Sequence, residues 1–180
     1  MRVVLALACI ACAAVVLASP ASAKAPVKPA VWATTVCTDV AAWKRQVLKS
    51  ANRLQTDIEH AVAAGGLRGA RTTFIRFFDG LVTVTAHLQG QLASAGTPSG
   101  PHGKQAVTIV RGVVNKAHAL FATAKVAAAK LSVTSATAFD KQTVKLAAAL
   151  TKAADAIDSS GLGSSLNGAI PKVKACSSLG

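Results

Sequence analysis

The chain has 180 residues, of which 20 are Lys or Arg and only seven are Asp or Glu, so its formal net charge is +13. This excess of positive charge favours anionic partners. With seven acids, four His and no Tyr, few side chains are suited to catalysis, and spacing alone assembles no Ser-His-Asp or Cys-His arrangement. We therefore expect a non-enzymatic protein with no bound cofactor.

The amino-terminal segment has the pattern of a signal peptide. Arg2 precedes an apolar run at 3–18, which ends before Pro20 and the small-residue triplet Ala-Ser-Ala at 21–23. A positive start, a short apolar run and an A-x-A motif are the features of a cleaved export signal. We predict that residues 1–23 are removed. No transmembrane span is then expected, because the run is shorter than a spanning helix needs.

The cysteines divide into two pairs. Cys9 and Cys12 lie inside the apolar run and leave lipoprotein processing as an alternative, although neither follows the Leu-x-Gly/Ala pattern. Cleavage leaves Cys37 and Cys176, and an even pair in an exported chain predicts a disulfide. The bond would enclose 138 residues. The chain-entropy model gives about 5 kcal/mol for a loop of this size.

Apolar residues recur at steps of three and four through the mature chain, which predicts amphipathic α-helices. Strand patterns are weak throughout. The predicted segments are an extended lead at 24–31, helices at 32–66, 67–95, 104–131 and 135–157, with Ser135 or Thr137 as cap of the fourth, and a short helical segment at 162–173.

Four such helices with short connections predict an all-α fold, an up-and-down four-helix bundle that occupies residues 32–180. The short carboxyl-terminal segment would be tied back to the first helix by the disulfide. Gly80 and Gly90 lower the helix propensity of the second helix, so tertiary packing must stabilise it.

The stretch AGTPSGPHGK at 95–104 contains a Gly-Lys pair that invites comparison with a phosphate-binding loop. Such a loop follows a strand and places Ser or Thr after the Lys. Here a predicted helix precedes the stretch and Gln105 follows it. We interpret the stretch as a hinge, in which Gly96 adopts the left-handed conformation at the helix end and Pro98 prevents the helix from continuing.

The histidines do not form a recognisable metal motif. Glu59-His60 lacks the H-E-x-x-H pattern and lies near the end of the first predicted helix. His87 and His118 lie on the second and third predicted helices. Pairing these helices around the hinge places the two residues six positions out of register, roughly 9 Å along the axis. We interpret them as surface or partly buried histidines.

The combination of VWATTVC at 31–37, Trp43, an Ala-rich helical body, the hinge and KACSSL at 174–179 resembles the small exported helical proteins of actinobacteria. The resemblance extends over the whole mature chain and consists of a similar composition and a similar order of segments. It implies an exported helical protein, and most members of that group have no assigned activity. Some bind haem. In this chain the axial ligand would have to be His, because Tyr is absent and Met1 is the only Met.

The third predicted helix is the most basic part of the chain, since no acid lies between Asp79 and Asp140. Four basic residues recur there every seven positions and form one stripe that drifts about 20° per step. These are Lys104, Arg111, His118 and Lys125. The stripe is either a solvated face or a docking surface for a polyanion. Nucleic acid is disfavoured, because no aromatic residue interleaves the stripe.

These observations predict a secreted or cell-envelope-associated helical protein that binds an anionic wall polymer or lipid headgroups through the third helix. The alternative is a carrier of a small apolar ligand or haem in the bundle core. The lining of that core would include Phe74, Phe78, Phe121 and Phe139. The oligomeric state is left open.

Overall fold

A computed structural model describes residues 25–158 and 174–176 of the chain. Within these residues the fold is all-helical. It has three α-helices, α1 (Pro29–Ser94), α2 (Gly103–Ala129) and α3 (Ala136–Asp158), followed by a single 3-10 turn at Lys174–Cys176. The predicted signal peptide at 1–23 and the predicted helical segment at 162–173 lie outside the described residues.

Helix α1 is bent back on itself at a glycine pair. Gly65 (φ −146°, ψ 15°) and Gly66 (φ 59°, ψ −151°) leave the helical conformation, and the second of these backbone geometries is accessible almost only to glycine. We call residues 29–64 arm 1 and residues 67–94 arm 2. The chain thus breaks at the glycine pair where the sequence predicts the end of the first helix, and the first two predicted helices are the two arms of α1. With three α-helices, the described residues do not confirm a four-helix bundle.

Two tryptophans show that the arms are antiparallel. The indole Nε1 of Trp32 donates to the carbonyl oxygen of Gly96 at 3.1 Å, and that of Trp43 donates to Thr85 Oγ1 at 3.0 Å. Trp32, near the start of arm 1, contacts Gly96 just after arm 2, whereas Trp43, further along arm 1, contacts Thr85 within arm 2. The partners run in opposite order along the two arms, as antiparallel arms require. Thr85 is fully buried, and its hydroxyl also donates to the Leu81 carbonyl oxygen at 2.7 Å.

Helix α2 in turn lies antiparallel to arm 2. Gln89 Nε2 donates to Asn115 Oδ1 at 2.8 Å, and nearer the kink Lys125 forms an ion pair with Asp79. Helix α3 follows α2 after a short connection. The predicted cap is confirmed at Ser135, whose Oγ accepts a hydrogen bond from the amide of Ala138 at 3.2 Å.

The core has two parts. The first part joins the outer ends of both arms to the start of α2, and the second joins the kink-proximal half of arm 2 to the end of α2 and to α3. The largest buried members of the first are Trp32, Val36, Leu88, Leu92, Val110 and Val114. Those of the second are Phe78, Leu81, Leu131, Phe139 and Leu146.

The extended lead packs against the hinge. Helix α1 begins at Pro29, earlier than the predicted start at residue 32, because proline is well suited to the first helical position. Before it, the Val27 amide donates to the Thr97 carbonyl at 3.0 Å, and the Val27 carbonyl accepts from the Ser99 amide at 2.8 Å. The predicted left-handed Gly96 is confirmed, with φ 76°.

The predicted disulfide is confirmed. Cys37 and Cys176 are bonded, with their Cα atoms 5.1 Å apart. Cys37 is fully buried in the first part of the core, and Cys176 Sγ lies 3.8 Å from the Ala33 carbonyl oxygen. The bond therefore holds the 3-10 turn against the start of arm 1, as the sequence predicts.

Candidate functional site

The structure places the four residues of the predicted stripe on α2 with unequal exposure. Lys104 and Arg111 are exposed, whereas His118 and Lys125 are half-buried. The drift of a seven-residue step explains this difference. The buried residues of α2 centre roughly 130° around the axis from Lys104, and each step turns the stripe about 20° towards them.

Lys125 at the end of the stripe has an acidic partner. Its ammonium pairs with the Asp79 carboxylate of arm 2, and both side chains remain in contact with solvent, with 42% and 57% of their surface exposed. Such a pair contributes little to stability but cancels the charge locally. The exposed, uncancelled part of the stripe is therefore Lys104 and Arg111.

Two further basic residues share the solvent-exposed side of this helix. Lys116 and Lys130 are exposed and lie about 120° and 80° around the axis from Lys104. The seven-residue spacing missed them, and a full helical projection of the sequence would have found them. We call Lys104, Arg111, Lys116 and Lys130 the basic face. In the part of the chain that the structure describes, none of the four forms an ion pair.

The start of α2 has an unusual electrostatic arrangement. Lys104 lies in the first turn, and that turn contains no acidic residue. Exposed amides give a helix N-terminus a partial positive charge, so a cation there is repelled. Lys104 thus lowers the stability of its own helix slightly, and a bound anion would relieve the repulsion.

A second surface feature is a cleft of about 550 Å³ between the two arms of α1, close to the kink. Both arms contribute to its walls, and its lining mixes guanidinium, hydroxyl and apolar groups. The lining residues are Ser50, Arg53, Leu54, Thr56, Asp57, His60, Thr73, Arg76, Phe77 and Gly80. The sequence drew attention to His60 and Gly80 among them but not to a shared cleft, because the cleft depends on how the two arms pair.

The histidines on arm 2 and α2 do not share a site. The predicted six-residue offset is wrong, since the Gln89–Asn115 hydrogen bond brings His87 and His118 nearly level. However, His87 is exposed and lies about 160° around the axis of arm 2 from Gln89, the residue that contacts α2. His87 and His118 therefore do not face each other. Among the described residues, no group of three or more His, Cys, Asp or Glu side chains is placed to hold a metal ion.

The phenylalanines proposed to line a ligand cavity all belong to the second part of the core. The Phe74 and Phe139 ring centroids are 6.3 Å apart, and Phe78 is fully buried beside Phe77, with centroids 4.9 Å apart. Phe121 joins the same part of the core. These aromatic contacts lie within the second part of the core, and the apolar-ligand carrier stays a prediction.

Comparison of the chain with protein-family models, with curated proteins and with solved structures gives no match. The resemblance to small exported actinobacterial proteins therefore stays a prediction. None of the helices in the described residues combines the length and apolar character of a membrane span. Any function must be argued from the basic face and the cleft.

Proposed function

We propose that this protein is exported, is secreted or retained at the cell envelope, and binds an anionic polymer or surface through the basic face of α2 without catalysing a reaction. The observation that carries the proposal is the exposed, acid-free surface of this helix. Four cations share it, and the chain has no acid between Asp79 and Asp140. Removal of Arg2 with the signal peptide would leave 19 cations against seven acids, a net charge of +12.

The dimensions of the basic face favour an extended ligand. From Lys104 to Lys130 the helix rises about 39 Å, at 1.5 Å per residue. Lys104 and Arg111 follow each other on nearly the same line, roughly 10 Å apart along the axis. A chain of repeating phosphates that follows the helix can contact several of these cations at once, whereas a small anion contacts only one or two.

We further propose that arm 1, arm 2, α2 and α3 act as one up-and-down bundle with the carboxyl-terminal segment, as a single domain over residues 32–180. The disulfide supports this, because it links the first and last parts of that range. It also supports export, since disulfides persist mainly outside the cytosol.

Processing of the exported chain provides a direct test of its destination. We expect amino-terminal sequencing of protein recovered from the culture medium or envelope of the native host to begin at Lys24, because cleavage follows the small-residue triplet at 21–23. A mature chain that begins with a lipid-modified Cys9 or Cys12 would contradict this expectation and would assign the protein to the lipoproteins.

Charge removal on α2 tests the binding surface. We expect the triple variant Lys104→Gln, Arg111→Gln, Lys116→Gln to bind long-chain polyphosphate more weakly and with a flatter salt dependence. The slope of log K against log salt should fall by about two, since each phosphate contact on a single-stranded polyanion releases about 0.7 counterion and three cations are removed. Fluorescence anisotropy at several salt concentrations measures both quantities.

A matched control separates location from net charge. The triple variant Lys44→Gln, Lys49→Gln, Lys141→Gln loses the same charge from exposed positions on arm 1 and α3. Equal weakening by the two triple variants would show that only net charge matters. As a complement, Lys104→Glu should weaken binding yet raise the melting temperature slightly, because an acid suits the first turn of a helix.

A further inference from the structure

We infer that the cleft between the arms is a binding site for a small amphipathic anion, such as a phosphate monoester of an aromatic or other apolar group. This site is separate from the basic face, which lies on α2. The inference rests on the shape of the cleft, on two guanidinium groups from opposite arms that have no ion-pair partner among the described residues, and on the apolar part of its wall.

The cleft is formed by one regular face from each arm. Ser50, Arg53, Asp57 and His60 recur at steps of three and four in arm 1, as do the lining residues at 73, 76, 77 and 80 in arm 2. These spacings place each set on a single side of its helix. The cleft is therefore a continuous furrow along the seam of the arms, two to three turns long.

Small residues keep this seam unfilled. At Gly80 a Cβ atom would meet nothing within 4 Å, so the space beside its backbone is open. Thr73 and Ser50 supply only short hydroxyl side chains elsewhere in the wall. A volume of about 550 Å³ lies in the range typical of small-molecule sites, roughly 300 to 1,000 Å³. The space suits a compact ligand and not an extended polymer.

The guanidinium groups provide the anion recognition. Arg53 belongs to arm 1 and Arg76 to arm 2, and within the described residues neither makes a side-chain hydrogen bond or an ion pair. Arginine binds phosphate and carboxylate oxygens with two parallel N–H donors. With Asp57 as the single carboxylate, the lining carries a net charge of +1 when His60 is neutral.

The apolar part of the wall explains why the ligand needs more than an anionic group. Leu54 and Phe77 are half-buried in the cleft, and the Phe77 ring is held edge-on against buried Phe78. A ring or short apolar chain on the ligand can cover these surfaces, whereas inorganic phosphate cannot. Apolar contact of this kind adds affinity roughly in proportion to the area removed from water.

The surroundings of the cleft give binding a structural consequence. Between residues 41 and 64, arm 1 has no buried side chain, so its packing in this range is thinner than at its start. A ligand that contacts Arg53 and Arg76 together would link the arms where their own packing is thinnest. Binding should therefore raise the melting temperature of the protein.

The test is a titration of the isotope-labelled protein with phenyl phosphate, followed by amide chemical shifts. We expect saturable shifts at Thr73 and Gly80 and an affinity at least tenfold higher than for inorganic phosphate or phenol. Arg53→Gln and Arg76→Gln should each weaken binding about tenfold, and Asp57→Asn should tighten it. Gly80→Leu, which fills the cleft and keeps its charges, should abolish binding while retaining the fold, because leucine favours a helix.

Two control variants make the result decisive. Arg45→Gln removes an exposed cation of arm 1 outside the cleft, and Arg111→Gln removes one from the basic face. Neither should change the affinity for phenyl phosphate. The inference is overturned if Gly80→Leu binds like the parent, if Arg111→Gln weakens binding as much as Arg76→Gln, or if phenyl phosphate and inorganic phosphate bind equally. Because polyphosphate binding is tested by removing cations from α2 and phenyl phosphate binding by changing residues of the cleft, this inference can fail while the proposed function stands.

Discussion

Removal of the Cys37–Cys176 disulfide is expected to lower the free energy of unfolding by about 2 to 5 kcal/mol. The bond closes a loop of 138 residues, and its loss gives the unfolded chain many more conformations. It also releases the 3-10 turn from the first part of the core. For the double variant Cys37→Ala, Cys176→Ala, we expect the melting temperature to fall by about 10 °C.

Reducing agent supplies the control for this experiment. It should lower the melting temperature of the parent towards that of the double variant and leave the variant itself unchanged. Urea denaturation followed by far-ultraviolet circular dichroism gives the free energies. A double variant as stable as the oxidised parent would contradict the stabilising role of the bond.

The second large effect is expected at the turn between the arms. A Cβ atom at Gly69 would overlap the carbonyl oxygen of Ala61 at the end of arm 1. The clash is with backbone, so no side-chain rotation relieves it. We expect Gly69→Ala to lower the free energy of unfolding by about 3 kcal/mol, at the upper end of the usual cost of overpacking.

Gly90 offers a matched control on the same arm. It is exposed, it is helical, and a Cβ there would meet nothing within 4 Å. Gly90→Ala should therefore stabilise the protein by roughly 0.5 to 1 kcal/mol, through helix propensity alone. If urea denaturation shows that Gly69→Ala lowers the free energy of unfolding and Gly90→Ala raises it, the close approach of the arms at Gly69 is supported. A neutral Gly69→Ala would show that the turn has a different geometry.

Local sequence signals predicted much of the fold. Apolar periodicity located the described helices to within a few residues, and the Gly65–Gly66 pair marked the break between the two arms of α1. Gly96 and Ser135 were predicted at helix ends because their roles depend on a few neighbouring residues. The disulfide followed from elimination among four cysteines.

Apart from the disulfide, the features that depend on pairing between distant segments were not predicted. The extended lead contains no strand pattern, yet Val27 pairs with the hinge through two backbone hydrogen bonds. The ion pair between Lys125 and Asp79 depends on the register of α2 against arm 2. Counting residues outward from the hinge predicted this register incorrectly. Arg53 and Arg76 line the same cleft only because α1 folds back at its kink.

The basic stripe shows the same limit. A seven-residue repeat correctly placed Lys104 and Arg111 on one exposed line. It also included Lys125, although the drift of the repeat brings that residue beside Asp79. Lys116 and Lys130 share the exposed surface without sharing the repeat. The exposed side of the helix, and not the spacing alone, defines the surface available to a polymer.

The most direct test of the central claim is to map bound polyphosphate on the isotope-labelled protein by amide chemical shifts at low salt. The basic face predicts the largest shifts along α2, centred on Lys104 and Arg111 and extending to Lys116, with little change along α3. Shifts centred on α3 or on arm 1, with α2 unaffected, would contradict the assignment of the basic face as the binding surface.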